Sequence, residues 1–175
     1  DFFKMVDYPL LKGNINTALN SPVSLAISEK MAKAFFGSAD AAYGKTLRVE
    51  NNKYLQVTAI FKDLPKNVSV SFDFLINWPT FLDDMGWAKD WGNNGPNTLI
   101  MLRKDADPVQ VESKIKKFLY NYNKYQTNSF YVELGLQRFG DFYLNNIFKD
   151  GKIAGGRSDY VRLFSIVAIF ILIIA

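Results

Sequence analysis

The chain has 175 residues, with 21 Lys and Arg against 17 Asp and Glu, and a formal net charge of +4. It contains no His and no Cys, which excludes Ser-His-Asp and Cys-His catalysis, disulfides, redox thiols and the usual zinc, haem, copper and iron–sulfur ligand sets. Its 49% apolar content supports the packed core of one domain or two small subdomains, and so mild a charge is not the basic stripe of a nucleic-acid binder.

In chain order, residues 1–22 carry Pro9, Gly13 and an Asn20-Ser21-Pro22 turn, which predicts an irregular opening segment. No leader pattern is visible in it; if a membrane-bound segment precedes it, the chain is the stretch between two membrane spans. Residues 23–27 (VSLAI) read as a short strand. Ser28 then caps a helix over EKMAKAFF, with Met31, Ala32, Phe35 and Phe36 on its apolar face and Gly37 as its stop. The alternating runs 46–50 and 54–61, joined at Asn51-Asn52, predict a hairpin. A strand is expected over 69–78 and a short helix after Pro79. Residues 86–97 read as a loop with aromatic anchors, and 98–103 as a strand. Asp107-Pro108 opens an amphipathic helix whose Val111, Ile115, Phe118, Leu119 and Tyr122 share one face. Residues 130–137 alternate as a strand, and 151–159 read as a Gly-rich linker. This mixture of strands and helices predicts an α+β fold with mixed or antiparallel sheets and packed helices.

The C-terminal stretch differs in kind. Residues 163–175 (LFSIVAIFILIIA) contain one Ser and no charge, and every face of the run is apolar. A span needs about 20 apolar residues. The run is expected to be the start of a transmembrane helix, marked by Leu163, Phe164, Ile166, Ile169, Phe170 and Leu172. A buried C-terminal helix is the competing reading. The expected division is therefore an extracytoplasmic body over 1–158 and the helix start over 159–175.

Little in the body suggests bond-making chemistry. Asp83-Asp84 is the only adjacent carboxylate pair, and helix neighbours point about 100° apart, so the two do not converge on one atom. No phosphate-binding loop pattern occurs, and no catalytic, cofactor-binding or metal residue is expected. Trp78, Trp87 and Trp91, with Phe81, are the candidate partner or substrate contact; a small core beneath the loop is the plainer account.

Taken in order, these features resemble a known family. Gly13, Ala18 and Leu19, the stretch SLAISEKMAKAFFG at 24–37, GKTLRV at 44–49, YLQVTAIFKDLP at 54–65, DFYL at 141–144 and the run from Tyr160 are similar to the MacB-like periplasmic core domain of FtsX-type ABC transporter permeases. The resemblance departs at Ala42-Tyr43 and at Gly13-Asn14. It implies a porter-like module with a smaller inserted one, no cofactor in this domain, and ATP used by a separate or fused ATPase. It further implies a bacterial inner-membrane location with this domain in the periplasm. The expected partners are an ABC ATPase subunit, a second permease copy and a periplasmic adaptor or outer-membrane component. The expected role is to couple ATP-driven motion to handling of a peptide, drug or lipoprotein. A membrane-tethered ligand-binding or sensor domain is the alternative.

Overall fold

A computed structural model of the protein describes residues 2–50, 52–93, 95–124, 127 and 131–174. The chain forms two compact units, Asp1–Met101 and Leu102–Ala175. Its architecture is α+β with a mixed sheet.

The first unit runs α1 (Phe2–Met5), β1 (Leu10–Lys12), β2 (Ser24–Ser28), α2 (Glu29–Phe36), α3 (Ala39–Ala42), β3 (Thr46–Val49), β4 (Lys53–Phe61), β5 (Phe74–Ile76) and α4 (Trp78–Asp84). β4 is its spine. β2 pairs with β4 in parallel and with β5 antiparallel, while β1 and β3 pair antiparallel with β4. With a neighbour on each edge, every residue of β2 is buried.

A bulge sets the two faces of β4. Leu25 pairs with Val57 but Ala26 pairs with Ala59, so Thr58 is the extra residue. An extra residue reverses the facing of everything after it. Leu55 and Val57 therefore join Ile60, not Ala59, in the core under α2 and α3, together with Leu25, Ile27, Ala32 and Ala42. Ala59 and Phe61 join Ala26, Phe3 and Ala18 in a second core. The opening segment covers that core through Phe2, Tyr8, Leu10 and Leu19.

Local chemistry defines α2 at both ends. The Ser28 hydroxyl accepts the Met31 N–H at 3.1 Å, and Gly37 at φ 84° donates its N–H to the Lys33 carbonyl. Glu29 pairs with Lys33 one turn on at 2.5 Å. That partner's hydrogen bond, then its charge, raises the Lys33 pKa above its ordinary value. The pair's contribution is present at neutral pH and is lost as pH rises through the raised value. At an exposed site it is small. Phe35 lies about 60° around the helix from Ala32 and is 61% exposed, so it is rim and not the face residue expected. The buried Ser28 hydroxyl also donates to Oδ1 of the exposed Asp73 at 3.0 Å. Ser28→Ala is expected to destabilise the chain by about 1–2 kcal/mol, read as a lower urea midpoint with unchanged slope.

The second unit holds α5 (Pro108–Ile115), β6 (Ile147–Lys149), β7 (Lys152–Gly155) and α6 (Arg157–Ile174). Asp107 caps α5 by accepting the Val109 N–H at 3.0 Å. The expected face continues only in part. α5 ends at Ile115, a 3-10 turn follows over Phe118–Asn121, and Leu119 is buried while Phe118 and Tyr122 stack on each other half-exposed.

The strand and linker expectations need correction. The strand expected over 69–78 is paired only at Phe74–Ile76, and Trp78 belongs to α4. Residues 98–103 and 131–137 are not in strands, because an apolar or alternating run makes a strand only where a second backbone supplies the ladder. Phe130 and Asn51, the latter in the expected hairpin turn, lie outside the described residues. The Gly-rich stretch is not a plain linker: it holds β7 and the start of α6, and β7 pairs with β6 as a hairpin. α6 spans Arg157–Ile174, and the expected division after residue 158 falls in its first turn. Leu163, Phe164, Ile166, Ile169, Phe170 and Leu172 on it are all exposed. Among the described residues, no helix is long and apolar enough to cross a membrane.

Candidate partner-contact site

The tryptophans stand on an anchored platform. Asn77, ahead of α4, donates its side-chain N–H to the Leu19 carbonyl at 2.6 Å. Thr80 is buried and its hydroxyl donates to the Pro22 carbonyl. Lys53, at the start of β4, donates to the Thr80 carbonyl at 3.1 Å and pairs with Asp84 at 2.8 Å. Those bonds fix the inner face of α4 and turn Trp78 outward. Asp84 is thereby a structural partner of Lys53, while Asp83 is exposed.

Phe81, one turn on, stacks against Trp78 with ring centres 5.1 Å apart and 23° between planes. It meets Trp87 edge-on at 6.4 Å and 87°. Trp87 lies on a 3-10 turn (Gly86–Lys89) and closes over Gly95, where a Cβ would lie 2.6 Å from the indole. Asn93 secures the loop by donating to the Trp87 carbonyl at 2.7 Å, and Asp90 accepts the Gly92 N–H at 2.8 Å. Trp91 sits in that last turn.

Trp78, Trp87 and Trp91 are 51%, 47% and 49% exposed, each half in solvent and half against the protein. Half-exposed indoles held in place lose little side-chain entropy on contact and bury large area.

The charged side chains around α5 have ordinary duties. Lys116 pairs with Glu133 at 3.2 Å, and Lys117 lies over the Tyr120 ring at 6.0 Å. Desolvation, then the Glu133 charge, raises the Tyr120 pKa above its ordinary value. Among the described residues no group of acidic side chains could hold a metal ion. An open cleft of about 460 Å³, lined by Thr17, Asn20, Ser24, Tyr43, Gln56 and Thr58, was not anticipated. Its lining is uncharged, about half polar and half apolar, and is drawn from separate elements, so no local motif announces it.

Residues 1–118 match the family described as the MacB-like periplasmic core domain. The chain belongs to this family. It is thus an extracytoplasmic domain of the MacB-like kind. No curated protein matches the sequence. Among solved structures, the chain is similar to a domain of a protein assigned as a permease from Porphyromonas gingivalis, at a TM-score of 0.47 and 21% identity, over 70% of this chain and 56% of that one. The chain therefore spans little more than half the length of that solved domain.

Proposed function

We propose that this MacB-like domain couples ATP-driven motion of an ABC transporter permease to export or extracytoplasmic handling of a substrate of the peptide, drug or lipoprotein class. The family match over residues 1–118 carries this reading. α6 supports it: its apolar residues are exposed along the whole run from Leu163 to Ile174, as the first part of a helix meant for lipid would be. In this reading the partners are an ABC ATPase subunit, a second permease copy and an extracytoplasmic adaptor, in a bacterial inner membrane. ATP is used outside this domain, and the domain's own work is mechanical. The test is purification of the full-length permease from its native host. Co-purification of an ATPase, together with further apolar spans after residue 175, is expected. A kinase or methyl-accepting segment in their place overturns the reading in favour of a tethered sensor.

Trp78, Trp87 and Trp91 are the proposed contact for substrate or adaptor. Joint replacement of Trp87 and Trp91 by alanine removes two anchors of the kind that each carry about 2 kcal/mol of binding, so transport in cells is expected to fall by at least about tenfold. The thermal midpoint of the purified variant checks that the fold survives. Unchanged transport with an intact fold removes the loop from the contact.

A further inference from the structure

The β6–β7 hairpin is clamped to the first turn of α6. Gly156 is buried, and a Cβ there would collide with the Leu144 carbonyl and lie 2.9 Å from Asn145 Cα. Ser158 donates its N–H to the Leu144 carbonyl at 3.1 Å and its hydroxyl to Asn145 Oδ1 at 2.8 Å. Asp159 accepts the Gly156 N–H at 2.9 Å. The Arg157 guanidinium lies 4.2 Å from the centre of the Tyr143 ring. The segment entering the hairpin and the segment leaving it thus meet at the start of the helix.

The hairpin's own side chains are poorly arranged for water alone. Asp150 and Gly151, at φ 50° and 72°, make its tight turn. Phe148 faces Ile153 and Lys149 faces Lys152. Neighbouring positions on a strand point to opposite faces, so one face carries an apolar pair and the other a pair of cations. Phe148 and Ile153 are 52% and 50% exposed, and like charges directly opposite each other destabilise a hairpin. An anionic, partly apolar surface would relieve both problems.

Geometry places such a surface within reach. From Gly156 to the first residue of the apolar run, Leu163, the helix rises about 10 Å. The headgroup layer of one leaflet is about 5–8 Å thick. With Leu163 at the hydrocarbon edge, the base of the hairpin stands at the outer margin of the headgroups. Tyr160, on the first turns of α6 and 65% exposed, sits where interfacial aromatics concentrate.

We infer that the β6–β7 hairpin is a membrane-surface contact, with Phe148 and Ile153 entering the headgroup–acyl boundary and Lys149 and Lys152 engaging the phosphates of anionic lipid. It rests on the reading of α6 as a helix that enters the bilayer. The long lysine stems let their ammonium groups reach phosphate while the opposite face is in contact with acyl chain.

The experiment places single spin labels at residues 148, 153, 169 and 87 of the full-length permease in a cysteine-free background. Vesicles are phosphatidylcholine with or without phosphatidylglycerol. Oxygen reports lipid exposure and a water-soluble nickel chelate reports aqueous exposure. Position 169 is expected in lipid and position 87 in water in both membranes. Positions 148 and 153 are expected to become oxygen-accessible with phosphatidylglycerol, the engaged population rising about thirtyfold relative to the disengaged one. Lys149→Gln with Lys152→Gln is expected to remove that dependence on lipid charge. If 169 is in lipid while 148 and 153 stay open to the chelate, the hairpin inference falls and the reading of α6 stands. If 169 is open to the chelate, both fall. Shielding of 148 and 153 from both probes means a protein covers them, which also overturns the inference, as does equal engagement in the two membranes.

Discussion

Phe61→Ala is expected to remove about 3–5 kcal/mol of stability, the range for deleting a fully enclosed aromatic side chain. Phe61 has no exposed surface, and its ring lies 5.5 Å from Phe72 and 6.1 Å from Phe3. Those neighbours come from the segment after β4 and from α1, so the cavity cannot close by moving one element. The loss should appear as a lower urea midpoint with nearly unchanged slope. Phe35→Ala, at a 61% exposed position, is the matched control and should cost less than about 1 kcal/mol. Equal losses at the two positions would refute this account of the second core. In the proposed coupling role the same variant has a second readout. Phe61 ties the opening segment to the spine of the sheet, so a folded but loosened variant should hydrolyse ATP with reduced transport.

How much of this was visible beforehand depended on how local the cause was. Ser28 and Gly37 announced both ends of α2, because a cap is a contact between residues three or four apart. Thr58 gave no such sign. Its run alternates like any half-buried strand, and the bulge exists only relative to the register of β2. Residues 98–103 are a short apolar run that reads as a strand and form none, because pairing is decided by distant backbone. The β6–β7 hairpin was legible in principle, since Asp150-Gly151 is a strong turn signal between apolar residues, but the glycines that follow masked it. At the candidate site, the stacking of Trp78 on Phe81 follows from an i, i+3 helical spacing that the strand reading of 69–78 hid. The closure of Trp87 over Gly95 and the anchoring of α4 by Lys53 and Thr80 depend on residues far away in sequence, and no pattern carries them.

Gly13→Ala is expected to destabilise by about 2–5 kcal/mol, from left-handed backbone strain of about 1–2 and overpacking of about 1–3. Gly13 has φ 95°, and a Cβ there would lie 2.5 Å from the Thr58 carbonyl oxygen and 2.9 Å from Ala59 Cα. The obstacle is backbone at the bulge of the central strand, which no side-chain rotamer can relieve. Ala18, the next small residue of the opening segment, meets the same feature from another direction: it is 1% exposed and its carbonyl accepts the Thr58 hydroxyl at 2.6 Å. The spacing of Gly13 and Ala18 is therefore that of a chain laid twice against one bulge. Gly37→Ala and Gly44→Ala separate the two contributions. Their φ values are 84° and 78° with open space where the Cβ would go, so they carry the strain alone, about 1–2 kcal/mol each. If Gly13→Ala costs no more than these controls in thermal unfolding, the opening segment does not bear on the bulge. If it costs the larger amount, the opening segment meets the sheet through a rigid backbone contact, the kind the proposed coupling needs.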